Sequence, residues 1–354
     1  MSSVILRRVS KAFGDHTALD DVSLEVENAQ LVCLLGPSGC GKTTALRLIA
    51  GFIEPDGGEI LFADRVVSAP GRTVPPEQRN VSMVFQTHAL WPHMTVAENV
   101  AYGLLVRKLD RATIARKVSA ILATTRLAAF ADRYPAELSG GQQQRVSVAR
   151  ALVVEPDTLL LDEPLSSLDA NLREEMRFEL RRLHDAYRTT TIYVTHDQSE
   201  AMTAADLIAV MNAGRVEQLG TPEEVYDRPR SEFVARFLGG SNILRGKAID
   251  ATHVSFAGTA LECRGAALRS GAEVAVSIRQ HDIAISNHSA RPAAANAFEC
   301  TVVRNVFLGN ARDYLVQAAD GTQLRITAAP EDSFAPGASV WLTLPPDRCR
   351  ALVS

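Results

Sequence analysis

The spacing of apolar residues changes twice along the chain. Residues 4–35 alternate apolar and polar positions, with turn signals at Gly14-Asp15 and Glu27-Asn28. A period of two predicts antiparallel β-structure. It ends in an unbroken apolar run, Leu31 to Leu35, which reads as a buried strand, and Ala45 to Ala50 then read as a helix closed by Gly51. A short strand is expected from Ser82 to Gln86, ending on a polar residue. From 87 to 135 the pattern is helical, with an Ala-rich helix expected over Asp110 to Phe130. Ser139 is placed to cap a helix that runs to Leu152. Two further apolar runs, Thr158–Leu161 and Thr191–Val194, read as buried parallel strands. Between them Leu172, Met176, Leu180 and Leu183 mark an amphipathic helix.

Beyond residue 240 the pattern becomes short strands and turns. Arg228-Pro229-Arg230-Ser231 and Gly239-Gly240-Ser241 bracket the change, and Asp320-Gly321 between two alternating runs predicts a tight hairpin. A weak repeat relates residues 271–278 to 337–344: both are Gly-Ala followed by a period-two strand. Two related small β-units and convergent strand composition both account for it. The expected organisation is an α/β domain over 1–238, with a helical subdomain over about 87–155, and a β-rich domain over 239–354.

Length and composition fit this division. A chain of 354 residues, 46% hydrophobic and 22% charged, has material for two soluble domains. Its formal net charge of −4 gives no bias toward nucleic acid. No apolar run approaches the ~18 residues of a membrane span, and residues 1–13 carry no signal-peptide core. The expectation is a cytosolic chain, unless a partner tethers it to a membrane. Five cysteines in no paired spacing point to reduced thiols rather than a disulfide framework or zinc site.

The chemistry centres on Gly36-Pro37-Ser38-Gly39-Cys40-Gly41-Lys42-Thr43-Thr44, a G-x-x-x-x-G-K-T phosphate loop between strand and helix. Glycines there let successive N–H groups point into one hollow above a helix N-terminus. Lys42 adds a charge for the β/γ-phosphates, and the Thr43 hydroxyl can bind Mg²⁺. Asp162 and Glu163 end an apolar strand, where one carboxylate can hold Mg²⁺ through water and the other polarise a water. His196 ends another such strand at the same sheet edge, within reach of a γ-phosphate. Phe13 reads first as a core aromatic and second as a surface for stacking a base. Leu138 to Gln142 reads equally as a Ser-capped helix start and as a second anion hollow.

Together these motifs resemble the ATP-binding cassette (ABC) ATPases. The phosphate loop, Gln86, Leu138-Ser139-Gly140-Gly141-Gln142, Leu159 to Pro164, Ser167-Leu168-Asp169 and His196 occur in family order. The resemblance implies a P-loop NTPase cassette with antiparallel β and helical subdomains, followed by a small OB-like TOBE/MOP domain. It implies ATP and Mg²⁺ as cofactors and gives the residues roles. Phe13 stacks adenine. Lys42, Thr43, Thr44 and the loop amides of Gly36 to Gly41 bind phosphates. Thr43, Gln86 and Asp162 attend the metal. Glu163 is the general base and His196 orients the γ-phosphate. Ser139, Gly140, Gly141, Gln142 and Asp169 complete the nucleotide site of a second copy across a head-to-tail homodimer.

The whole chain looks like the ATPase subunit of a bacterial solute importer at the cytoplasmic face of the inner membrane. Its implied partners are two integral-membrane permease subunits, docked near Thr87 to Met94, and indirectly an extracytoplasmic solute-binding protein. The resemblance points to a polyamine or ferric iron as solute, with sugars, phosphonates and other small solutes as alternatives. A soluble ABC ATPase acting on nucleic acid would carry tandem cassettes or long coiled coils, and neither is visible in the sequence.

Overall fold

The computed structural model describes residues 2–265, 267–287, 292 and 294–352. They form two compact units, Met1–Pro222 and Glu223–Ser354. The boundary expected from sequence, after residue 238, lies further along the chain, beyond two short helices that cluster with the second unit. Among the described residues, no helix is long and apolar enough to cross a membrane.

The first unit begins with β1 (Val4–Phe13), β2 (His16–Val26) and β3 (Leu31–Leu35), followed by α1 (Lys42–Ala50). Then come β4 (Gly57–Phe62), β5 (Arg65–Ala69), β6 (Arg72–Thr73) and β7 (Val81–Val84). The helices α2 (Val96–Val106), α3 (Arg111–Thr124) and α4 (Gly140–Leu152) follow as one block. The unit closes with β8 (Thr158–Asp162), α5 (Ala170–Tyr187), β9 (Thr190–Thr195), α6 (Gln198–Ala204), β10 (Leu207–Asn212) and β11 (Arg215–Gly220).

Two sheets result. The first is antiparallel, in order β2-β1-β4-β5-β6; the second has order β11-β10-β3-β9-β8-β7 and is parallel except at β11. All five residues of β3 and all six of β9 are buried, as strands covered on both faces of a sheet require. Val4, Leu6, Val22 and Leu24 of the antiparallel sheet share a core with Val32 and Leu34 of β3 and Leu46, Leu48 and Ile49 of α1.

The helices start where their caps dictate. Thr95 and Glu98 form a capping box on α2, and Ser139 and Gln142 form another on α4. Asp110, Asp169 and Asp197 accept amide hydrogen bonds at the starts of α3, α5 and α6. The single helix expected over Asp110 to Phe130 is shorter. Arg126 adopts a left-handed φ of 58°, and the Leu127 amide turns back to the Leu122 carbonyl at 2.7 Å, ending α3.

The second unit opens with α7 (Pro222–Asp227) and α8 (Glu232–Phe237), then β12 (Ser241–Ala248), β13 (His253–Phe256), β14 (Thr259–Glu262), β15 (Arg264–Gly265), β16 (Glu273–Arg279) and β17 (Ala284–Asn287). It continues with β18 (Ala297–Phe307), β19 (Arg312–Ala318), β20 (Gln323–Ala328), β21 (Ser339–Thr343) and β22 (Arg350–Leu352). Its sheets run β14-β13-β12-β16-β22-β15 and β17-β21-β18-β19-β20 around one core that includes Val276, Ile278, Val316, Val340 and Leu342. The expected hairpin at Asp320-Gly321 joins β19 to β20. The two halves of the sequence repeat become β16 and β21, one in each sheet, so each serves as a strand of a separate β-layer.

Candidate active site

Register alone brings the expected residues together. Leu35 pairs with Thr195, Asp162 with Val194, and Val84 with Leu161, all in parallel. The chain therefore leaves β3, β7, β8 and β9 at one sheet edge. That edge carries the phosphate loop, Gln86, Glu163 and His196. Ligands of open α/β sheets sit in this position.

The loop is built on two glycines whose side chains are forbidden. A Cβ on Gly36 would lie 2.3 Å from the Met211 carbonyl oxygen, and one on Gly41, at φ 103°, would lie 2.3 Å from that of Ala18. Lys42 is buried, and its Nζ donates to the carbonyls of Gly36 at 2.8 Å and Pro37 at 2.9 Å. Its charge is thereby fixed at the loop. An open cleft of about 290 Å³ is lined by Ser38, Gly39, Gly41, Lys42, Thr43 and Thr44, with Phe13 and Glu163 on its walls. Cys40 is buried, and burial pushes its thiol pKa up against the pull of the Lys42 ammonium, 3.8 Å from its Sγ.

Thr43 Oγ1 donates to Asp162 Oδ1 at 3.3 Å. Burial pushes the Asp162 carboxyl pKa up, and the Thr43 hydroxyl pulls it back. A hydroxyl and a carboxylate here offer hard oxygen ligands beside a phosphate hollow, the donor set that suits Mg²⁺. Among the described residues there is no cluster of three or more His, Cys, Asp or Glu that could hold a metal, so such an ion would take the rest of its ligands from phosphate and water.

Glu163 sits in a left-handed turn at φ 44°, its amide donating to the Val194 carbonyl at 2.9 Å. A non-glycine residue in that region costs about 1–3 kcal/mol and persists only where the surroundings hold it. Here the neighbours on both sides do so. Gln86 Nε2 donates to Glu163 Oε2 at 3.3 Å, and His196 Nδ1 lies 3.2 Å from Oε1. The mostly covered carboxylate, the amide and the exposed imidazole thus form one polar group beside the phosphate hollow.

The structure corrects the first reading of Phe13. It is 51% exposed at the end of β1, on the cleft wall, with Lys11 Nζ 5.6 Å from its ring centroid. Ser139, Gly140, Gly141, Gln142 and Asp169 line no part of this cleft. The Ser139 and Gln142 side chains cap α4, and Asp169 caps α5. A Cβ on Gly141 would lie 2.6 Å from Leu172, so the start of α4 packs closely on α5.

His88 and Trp91 are fixed within the unit. His88 Nδ1 lies 2.6 Å from Gln144 Oε1, and Ser147 and Arg150 of α4 donate to its carbonyl at 2.9 and 3.0 Å. The Trp91 ring packs at 4.2 Å on Tyr102, with the Arg150 guanidinium 4.8 Å from its centroid. Nearby, α2 and α3 enclose an apolar cleft of about 470 Å³ that includes Leu105, Ile114, Val118 and Leu122.

Two features were not legible beforehand. His16 and Ala18 of β2 line the cleft, carried there by the hairpin that pairs Phe13 with His16. Glu200 of α6 is buried, accepting hydrogen bonds from Tyr193 Oη and Thr195 Oγ1, each at 2.6 Å, so it braces the end of β9 before His196. The sequence of α6 gives an acid in the first turn of a helix, and only the packing shows that it faces inward.

The sequence profile of the ABC transporter family matches residues 19–166, and that of the TOBE domain matches residues 276–352. The chain is 46% identical over 327 residues to the spermidine/putrescine import ATP-binding protein PotA of Chromobacterium violaceum, covering 91% of this chain and 90% of that one. It is 43% identical over 335 residues to the sulfate/thiosulfate import ATP-binding protein CysA of Caulobacter vibrioides, covering 94% of each. Its fold is similar to cbiO1 of Clostridium perfringens, part of the ABC transporter complex cbiONQ, with a TM-score of 0.58 and 28% identity over 63% of this chain and 89% of that one.

Proposed function

The chain belongs to the ABC transporter family as an ATP-hydrolysing import subunit, and on that footing we propose that it drives uptake of polyamines such as spermidine and putrescine. The observation that carries the catalytic part is the convergence of the phosphate loop, the Thr43–Asp162 pair, Glu163, Gln86 and His196 on one sheet edge. The polyamine assignment rests on likeness to the PotA relatives over most of the chain.

In the proposed mechanism the loop amides and Lys42 bind the ATP phosphates, and Phe13 stacks the adenine from its exposed position. Thr43 and, through water, Asp162 would hold Mg²⁺, which supplies charge neutralisation at the β- and γ-phosphates. Glu163 takes the proton from the attacking water. Gln86 orients that water, and His196 contacts the γ-phosphate while steadying the Glu163 carboxylate. Ser139, Gly140, Gly141, Gln142 and Asp169, absent from this chain's own cleft, serve the nucleotide of a second copy in a homodimer.

Residues 1–238 make up the ATPase domain and 239–354 a domain that regulates and dimerises. Two permease subunits dock near Thr87 to Met94, one on each copy of the chain, where the Trp91 ring packs on Tyr102 of α2. That docking holds the chain at the cytoplasmic face of the inner membrane, downstream of an extracytoplasmic binding protein. No nucleic-acid partner is proposed. Likeness to CysA over 94% of the chain favours sulfate or thiosulfate as the second reading. Uptake of labelled spermidine, putrescine and sulfate by cells lacking this chain separates the two. Loss of polyamine uptake alone supports the first reading, and loss of sulfate uptake alone replaces it with the second.

A further inference from the structure

The C-terminal unit holds a charged cavity of about 300 Å³ that the nucleotide chemistry does not use. It lies among residues 226–229, the strands β15, β16 and β22, and the turn before β22. Five arginines line it, Arg228, Arg264, Arg279, Arg348 and Arg350, against three aspartates.

The arginines are not equivalent. Arg279 is buried and committed to the fold, donating to the Gly239 and Tyr226 carbonyls with its guanidinium 3.8 Å from the Tyr226 ring centroid. Arg348 lies 3.9 Å from both Asp282 and Asp347, within ion-pair range but beyond hydrogen bonding. Arg350 commits its Nε to the Pro229 carbonyl at 3.3 Å. Among the described residues, Arg264 has no ion-pair partner.

Strand register sets Arg264 beside Arg350 in the parallel pair of β15 and β22, and Arg350 opposite Ser277 of β16. Like charges directly opposite on neighbouring strands are destabilising, so this row costs the fold stability unless something answers its charge. Burial, with the nearby charge of Arg228 adding to it, pushes the Arg350 pKa down. A guanidinium presents paired donors that fit a carboxylate or phosphate edge bidentately. A cavity of this volume is the size of a small metabolite site.

We propose that this cavity binds a small multivalent oxyanion, carrying phosphate or carboxylate groups, held by Arg264 and Arg350 with Arg348 and Arg228 at its rim. The anion would link the segment after α7 to the sheet of the C-terminal unit.

Calorimetric titration of the full chain, with its phosphate loop saturated by Mg-ADP, tests this. Pyrophosphate and citrate are the two probes, and acetate is the monovalent control. The expected result is one-to-one binding of at least one multivalent probe, weakened by added salt and at least about tenfold tighter than acetate. Pyrophosphate alone would mark the site as phosphate-specific, and citrate alone as carboxylate-specific. Arg264→Ala with Arg350→Ala should weaken that binding at least about tenfold, the loss expected for charge-assisted hydrogen bonds. Arg264→Ala alone, on an exposed edge strand, gives the same test if the double variant does not fold. Arg269→Ala, outside the cavity, should change nothing. Absence of multivalent-anion binding, or binding that survives the loss of Arg264, would overturn the proposal.

Discussion

Replacing Glu163 with Gln isolates one oxygen of the proposed catalytic group. Glutamine keeps the shape and can adopt the same left-handed turn, so the Val194 contact made by the backbone amide remains. It also keeps one acceptor oxygen, against which Gln86 sits at 3.3 Å. The fold should lose no more than about 1 kcal/mol, the net worth of a single neutral hydrogen bond. Nucleotide affinity should be nearly unchanged, because Lys42, Thr43 and the loop amides carry the phosphates. What disappears is the basic site beside His196. General-base removal costs about 10²–10⁴-fold in rate, which at 1.36 kcal/mol per decade is about 2.7–5.4 kcal/mol of barrier. The measurement is single-turnover hydrolysis of saturating Mg-ATP by the assembled transporter, with nucleotide binding followed in parallel. A rate within about fivefold of the parent, far short of the general-base span, would refute the role assigned to Glu163. A rise in KM with unchanged kcat would instead show that Glu163 contributes uniform binding.

Lys42→Ala should weaken nucleotide binding by about 10–100-fold, as loss of charge-assisted hydrogen bonds does; fluorescent-nucleotide titration checks it, and unaltered affinity would exclude Lys42 from the phosphate site. Gly36→Ala should destabilise the first unit by more than about 2 kcal/mol in urea unfolding, because its Cβ would sit 2.3 Å from a backbone oxygen. Glu200→Gln should be stabilised relative to the parent as pH rises above about 4.3, the ordinary glutamate value: burial raises the folded pKa of Glu200, so protonation favours the folded state, and the parent loses stability as the buried group ionises. Denaturation of both proteins from pH 4 to 8 checks the sign, and a pH-independent difference would refute it. Deleting residues 239–354 should leave Mg-ATP binding intact while lowering the dimer fraction in analytical ultracentrifugation; loss of nucleotide binding in a still-folded ATPase domain would refute the proposed division of roles.

The sequence alone determined the phosphate loop, the carboxylates after Leu161, and the buried character of β3, β8 and β9. These are local facts: a motif of fixed spacing, strand ends, and unbroken apolar runs that only a doubly covered sheet can bury. It also determined the start of α4, because Ser139 caps its own following amides. The exposure of Phe13, the inward face of Glu200 and the row of Arg264, Arg350 and Ser277 were decided only in three dimensions. Each depends on which segment lies alongside, and no local period encodes that. Phe13 is an aromatic in an alternating strand, a pattern shared by core residues, and its position at a hairpin end left it outside. Arg264 and Arg350 are more than eighty residues apart, and only the pairing of β15 with β22 makes their charges neighbours. Spacing fixes what a residue does to its own turn or strand, while the sheet's register decides which charges and catalytic groups must face each other.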